Sequence, residues 1–404
     1  MVSTRKQASL FVPSPDDVEQ KVKAFKAFNV NHAAFDKTYT AALTACARTG
    51  GENVVIITGP TGVGKSTLAQ RLFRELRDVC REETQKHLDI IPVVGLSAVP
   101  AHGRTFNWKD FFIRLLHQAI DPVTNRSLLS AMGVDLVGDV PVDTPADKMA
   151  ADKLRRCCET TLRRRKTRWL VIDEAHHMLL HKDAAVNQIQ FEALKSLAIE
   201  TGVTIILCGT YKLLDIRDQS GQLVRRSELI HFPRYDLSHK DDQENFRKIA
   251  LSLQGKLALR SKPDLYDNWK RYFIRSVGCT GIFKDWITRT YESALKEGLD
   301  SFDISYALKF AHSNKALMTI AKEAKFGEDK LEDVDDQELF DYLKGTKDCP
   351  DDADGDGQAS DDGPRSPALD PALVSAAANL KTLGRRVGQR SPVRDPVGRG
   401  ASAA

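Results

Sequence analysis

Between residues 54 and 232 the chain alternates short, β-branched apolar runs with longer stretches whose apolar residues recur every three to four positions. The runs Val54–Thr58, 90–96, Trp169–Asp173, 203–208 and 229–232 have strand length and few polar residues, the pattern of strands buried on both faces. Their alternation with amphipathic helices predicts an α/β fold, a parallel sheet between helices. After Pro233 helical patterns take over to about residue 345, interrupted by a compact turn at 278–281, and predict a smaller all-helical domain. Ahead of the first strand, residues 1–35 carry scattered charge and two early prolines. Val22, Phe25, Phe28 and Val30 then follow at roughly helical spacing, an arm leading into a short helix that is either a docking segment or a cover for the core. From Thr346 onward Asp, Gly, Pro, Ser and Ala dominate and no apolar period survives, so a disordered tail is expected over 346–404.

The loop after the first strand carries the clearest chemistry. Gly59-Pro60-Thr61-Gly62-Val63-Gly64-Lys65-Ser66-Thr67 fits the phosphate-binding pattern GxxxxGK[ST], with a strand before it and the helical run 68–76 after it. The glycines let the backbone curl so that N–H groups point at phosphate oxygens, and the following helix turns its positive end toward the same charge. Lys65 would reach the β- and γ-phosphates of ATP, and Ser66 would offer a hydroxyl to Mg²⁺, an ion that keeps most of its waters. Further along, Leu170-Val171-Ile172-Asp173-Glu174 ends a buried strand on two carboxylates, at the end of the sheet where open α/β folds bind ligands. Asp173 would hold the Mg²⁺ shell, and Glu174 would orient and polarise the water for in-line attack on the γ-phosphate. Together with the upstream loop, this makes ATP hydrolysis the expected chemistry. His177 and His181, four residues apart with no third ligand nearby, read as capping or surface residues rather than as a metal site.

Composition narrows the class. With 404 residues and 42% hydrophobic content the chain can bury a full-sized core, and its length suggests two or three domains. The apolar runs fall far short of the ~20 residues of a bilayer crossing, and residues 1–11 hold no secretory h-region, so a cytoplasmic protein without membrane contact is expected. Seven cysteines, an odd number with no CxxC spacing, make neither a disulfide framework nor a zinc framework. The formal charge of +4 is modest, but basic residues crowd into 153–168. Within that stretch the run Arg163-Arg164-Arg165-Lys166 precedes the Asp173-Glu174 strand at the end away from the ATP loop, where DNA, a partner or water are all open readings.

The order of the phosphate loop, the Asp173-Glu174 strand, a strand ending Leu207-Cys208-Gly209-Thr210, and Arg225-Arg226-Ser227-Glu228-Leu229-Ile230-His231-Phe232-Pro233 resembles the AAA+ family. Within that family the chain is most similar to the TnsC/TniB regulators of DNA transposition, over about residues 35–290. The resemblance implies four parts: an N-terminal arm over 1–35, an AAA+ core over 36–235, a helical lid domain over 236–345 and the tail. It also implies that Thr210 senses the γ-phosphate and that an arginine, Arg226 or else Arg225, reaches into a neighbouring subunit's site. One departure concerns the lid. Where many AAA+ proteins have Gly-x-x-Arg, residues 278–281 end in Gly281, which leaves Arg275 or Lys284 as substitutes.

The same resemblance implies a homo-oligomer, ring or helical filament, on duplex DNA of any sequence, coupling a target-selector protein to transposase subunits. The residues are compatible with this. A helix beginning near Trp108, with Phe111, Phe112, Leu115 and Leu116 on one core-directed face, leaves Arg104 and Lys109 near its start for phosphate contacts. Binding of that kind is sequence-tolerant and salt-sensitive. In the tail, 373–383 alone has the apolar residues to fold against a transposase subunit; the alternative is a solubilising extension. Two other functions stay open: an AAA+ replication initiator or helicase loader, sharing every nucleotide residue named, and a nucleotide-switch signalling ATPase that does not touch DNA.

Overall fold

Strands β1 (Val54–Thr58), β2 (Val93–Ser97), β3 (Trp169–Asp173), β4 (Thr204–Gly209) and β5 (Ser227–His231) pair in parallel in the order β2-β3-β4-β1-β5. This computed structural model describes residues 14–48, 54–100, 106–119, 149–179, 184–217, 224–225 and 227–344. Expectations for Arg104, His181, Arg226 and the tail lie outside them. The chain divides into two units, Met1–Glu332 and Asp333–Ala404, and of the second only 333–344 is described, with helix Asp336–Leu343.

Period-two alternation along the strands separates two layers of core. Ile56, Leu170, Ile172, Ile205 and Leu207 point into one cluster, packed under α5 (Trp108–Ala119), α6 (Ala151–Arg164) and α7 (Ala184–Thr201). Val55, Ile57, Val171, Ile206 and Cys208 point into the other, covered by α2 (Ala33–Ala47) and α3 (Lys65–Val79). Each fully buried Ile or Leu contributes about 1.5–3 kcal/mol, so a slip of one residue in register would be strongly opposed. Phe111, Phe112, Leu115 and Leu116 of α5 are all buried in the first cluster, as expected of core residues. The strand expected over 90–96 begins only at Val93. Pro92 has no N–H for the ladder, and its carbonyl instead accepts from the amides of Arg168 and Trp169 at 2.8 and 3.1 Å.

Downstream of β5 the described residues are helical: α9 (Lys240–Lys256), after the short α8 (Leu214–Arg217) upstream, then α10 (Trp269–Ser276), α11 (Thr280–Lys296), the short α12 (Ile304–Ala307) and α13 (Asn314–Asp329). Their core is aromatic. Phe246, Tyr272, Phe273, Phe283 and Trp286 form tilted and stacked pairs with ring centroids 4.8–5.3 Å apart. α1 (Pro15–Ala27) joins the same cluster through Val18, Val22 and Phe25, so the N-terminal helix is packed on the helical region rather than left as a free arm. Ser14 caps it by accepting from the amide of Asp17 at 3.2 Å.

Trp286 is 1% exposed, and its indole N–H donates to the carbonyl of Ala307 at 2.6 Å. Trp286→Ala should therefore lower the unfolding free energy by about 3–5 kcal/mol, read by urea titration of far-UV circular dichroism. A loss under about 1 kcal/mol would show that this aromatic core does not hold the helices together.

Candidate nucleotide site

β1 delivers the loop 59–64 to the carboxyl edge of the sheet, and α3 starts immediately at Lys65. Gly62 and Gly64 have φ of 79° and 115°, a region in which L side chains are strained. Gly59 is required for a different reason: a Cβ there would lie 2.2 Å from the carbonyl oxygen of Phe232. The ammonium of Lys65 donates to the carbonyls of Gly59 and Pro60 at 2.9 and 2.7 Å. Lys65 is 8% exposed, and burial lowers its pKa, an effect opposed chiefly by the charge of Glu174 and less by Asp173.

The two carboxylates stand two strand positions away. β4 lies between β1 and β3, so Thr210 just after β4 and then Asp173 at the end of β3 follow the loop in order on one side along the carboxyl edge of the sheet. Glu174 has φ of 51°, unusual for a residue with a side chain. Its amide donates to Asp173 Oδ1 at 2.9 Å, and its carboxylate sits 3.3 Å from His176 Nδ1 without the alignment of a hydrogen bond. The buried Thr210 hydroxyl has no hydrogen-bond partner among the described residues, which suits it to donate to a ligand oxygen. Glu174, His176 and His177 present potential ligand atoms within 4.8 Å of one another, a trio the His177/His181 pairing did not anticipate. They come from four successive residues and include the carboxylate that faces the phosphate loop.

A cavity of ≈ 340 Å³ opens on the other side of the loop. Val63, Gly64 and Thr67 form its floor, Asn29–Phe35 and Arg71 one wall, and Thr280, Gly281 and Lys284 the other. Its apolar and polar lining has the size and chemistry of a site for a nucleobase and ribose. The wall from α11 meets the loop by backbone alone: the amides of Gly281 and Ile282 donate to the carbonyl of Gly62 at 2.8 and 3.3 Å. A Cβ at Gly281 would lie 2.5 Å from that oxygen, which is the physical reason for glycine where Gly-x-x-Arg would place its arginine. Of the two substitutes, Arg275 is bound to Asn314, while Lys284 lines the cavity and donates to the carbonyl of Lys26 at 2.8 Å.

Residues 48–216 match the family model of the AAA domain. The fold is that of an AAA+ P-loop domain. No curated protein matches the chain. Among solved structures, the ORC2 protein of Aeropyrum pernix in ADPNP–ADP complexes is 12% identical, with 83% of this chain and 87% of that one covered at a TM-score of 0.42. The Walker-type ATPase PABY2304 of Pyrococcus abyssi is 15% identical, covering 76% and 78% at 0.43. Domain III of the Thermotoga maritima replication initiation protein DnaA is 15% identical, covering 71% and 94% at 0.37.

The AAA+ domain gathers Gly59, Pro60, Thr61, Gly62, Val63, Gly64, Lys65, Ser66, Thr67, Asp173, Glu174 and Thr210 at one sheet edge. Arg225 is exposed, two residues before β5. Lys109 lies in the first turn of α5. The basic run resolves differently from a free patch. Arg165 is buried at 7% exposure and donates to the carbonyl of Asp89, Arg163 donates to the carbonyl of Glu200 at the end of α7, and Lys166 takes a left-handed turn at φ 51°. Two of those four cations thus serve the fold. The cavity floored by Val63, Gly64 and Thr67 was missed because its walls, 29–35 and 280–284, are far apart in sequence and carry no motif.

His32 belongs to that cavity and caps α2. Its Nδ1 accepts from the amide of Phe35 at 3.3 Å and lies 2.8 Å from the hydroxyl of Tyr235, so the hydroxyl donates to it. Burial lowers the His32 pKa from 6.5 to about 4, against the smaller opposing pull of Asp36. Because the unfolded chain takes up the proton first, stability is full above pH 6.5 and falls as pH drops toward 4, by about 2 kcal/mol between pH 7 and pH 5 from this site. The check is the difference in urea stability between wild type and His32→Asn, which keeps a capping acceptor. That difference should shrink on acidification to pH 5, and a difference independent of pH would contradict the assignment.

Proposed function

We propose that this chain is an ATP-dependent regulator of DNA transposition that assembles on duplex DNA and hydrolyses ATP at the edge of its parallel sheet. The observation that carries the ATPase part is the meeting of a buried lysine, two adjacent carboxylates and an unpartnered buried hydroxyl at the ends of β1, β3 and β4. The loop glycines and the orphaned hydroxyl of Thr210 fit a bound triphosphate. Lys65, now held by two weakly basic carbonyls, exchanges them for phosphate oxygens, a stronger charge-assisted pairing. The hydroxyl of Ser66 and the carboxylate of Asp173 would hold Mg²⁺, which neutralises charge on the β- and γ-phosphates when bound. Glu174 orients the attacking water and accepts its proton, and Thr210 donates to the γ-phosphate.

An arginine from a neighbouring copy, Arg226 or Arg225, completes the charge stabilisation and makes hydrolysis depend on assembly. The DNA and transposition part is supported by the TnsC/TniB-like blocks at 59–67, 172–177, 208–210 and 225–233, with Arg104 and Lys109 as phosphate contacts. Target-selector and transposase subunits are the partners in this reading.

ATP turnover with and without plasmid DNA, at low and high salt, tests both parts together. Wild type should be stimulated by DNA of any sequence, with the stimulation lost at high salt. Glu174→Gln should keep nucleotide and DNA binding but turn over about 10²-fold more slowly or worse, and Lys65→Ala should not bind nucleotide. Wild-type turnover by Glu174→Gln would refute the base, and an ATPase indifferent to DNA that binds none would favour a nucleotide switch. DNA-stimulated turnover without transposase recruitment would favour an initiator or loader.

A further inference from the structure

Helix α13 crosses from the helical region to the phosphate end of the AAA+ site. Its start is tied by Arg275, which donates to Asn314, and its end by Glu328, which accepts from Arg234 Nε and Nη2 at 2.9 Å each. The next residue but one, Lys330, is paired with Asp215 in α8, four residues beyond Tyr211. Between these ties the helix lies directly on Tyr211: a Cβ at Gly327 would come within 2.1 Å of the ring, so no side chain fits there. Tyr211 is itself braced, its hydroxyl 2.9 Å from His231 Nε2 on β5. Beneath the helix a cavity of ≈ 340 Å³ is lined by Pro60, Thr61, His176 and Thr210 on the core side and by Ile320 and Glu323 from α13.

α13 therefore roofs the Thr210 side of the phosphate loop, the face that a neighbouring copy's arginine would use in the function proposed above. Little apolar burial holds it there. Only Leu317, Ala324 and Gly327 of the helix are buried, while Met318 and Phe326 are 59% and 64% exposed. The ties are one hydrogen bond, Arg275 to Asn314, one bidentate ion pair, Arg234 to Glu328, and one half-exposed ion pair, Lys330 to Asp215; all three are polar and can exchange for other polar partners. Segments with few buried contacts and exposed ties are the ones that open at low free-energy cost.

We propose that α13 is a strap that keeps the single subunit inactive, and that it leaves the Tyr211 face when a second copy of this chain docks there. The inference rests on the reading that a neighbouring copy completes the site. Displacement exchanges an intramolecular cover for an intermolecular one at the same surface, so assembly and hydrolysis switch on together.

Two variants of the full chain move the strap in opposite directions. Gly327→Leu drives a side chain into the Tyr211 ring and should lift the helix. Hydrolysis per subunit at low protein concentration should rise at least fivefold, converging with wild type at high concentration. Tyr211→Cys with Gly327→Cys removes the ring and places the two Cβ positions 2.7 Å apart, near enough to relax to the ~3.8 Å of a disulfide. Oxidised, this protein should still bind a fluorescent ATP analogue but hydrolyse at least tenfold more slowly than when reduced, with each single cysteine variant as control.

Equal rates in the oxidised and reduced forms, or no gain from Gly327→Leu, would overturn the strap. Mass in solution with a non-hydrolysable analogue provides a readout independent of chemistry. If wild type does not hydrolyse ATP, the ATPase proposal fails separately. The strap then stands only if the locked form stays monomeric while Gly327→Leu assembles more readily than wild type, and equal masses would overturn it.

Discussion

Backbone meets backbone on both sides of the phosphate loop, and the rest of the site is arranged around that contact. On one side Gly59 lies against the carbonyl of Phe232 at the end of β5; on the other, the amides of Gly281 and Ile282 reach the carbonyl of Gly62. A methyl group at Gly59 or Gly281 would push the partners apart, so the strand end, the loop and α11 form one clamped unit. α11 is rooted in the aromatic core through Phe283, Trp286 and Tyr291, so these two hydrogen bonds tie the helical region to the loop. The adjoining cavity is lined by Val63 and Gly64 of the loop and by Thr280 and Gly281 of α11, so an occupant would touch loop and helix at once.

The same constraint accounts for the departure at Gly281. An arginine there would need the space that the Gly62 carbonyl fills. Of Arg275 and Lys284, the one that lines the cavity is Lys284, one turn along α11, with a pKa lowered by burial. Across the loop, Glu174 is held in a left-handed conformation, with its own amide on Asp173 and its carboxylate beside His176. The two carboxylates are thus distinguished by the backbone: Asp173 remains on the strand, and Glu174 is turned off it.

The sheet was legible in the sequence because strands buried on both faces need unbroken apolar runs, and Val54–Thr58, Trp169–Asp173 and the run ending at Cys208 have them. The phosphate loop and the Asp173-Glu174 pair were legible because their chemistry constrains neighbours in sequence. What escaped was assembled across distance. His32 and Tyr235 are more than two hundred positions apart, yet share a hydrogen bond beside the cavity, and Gly327 carries no local signal for the tyrosine ring it must clear. The basic run stayed open between DNA, a partner and water for a related reason: charge patterning cannot reveal that Arg165 is committed to the carbonyl of Asp89.

Every role proposed for this chain depends on the loop 59–67 seating a nucleotide. A crystal structure with Mg²⁺ and a non-hydrolysable ATP analogue tests this most directly. It should show Lys65 Nζ released from Gly59 and Pro60 onto the β- and γ-phosphates, the Thr210 hydroxyl on the γ-phosphate, and the base between Asn29–Phe35 and Thr280–Lys284. Lys65 still bound to its two carbonyls, with the analogue elsewhere or absent at saturating concentration, would contradict it.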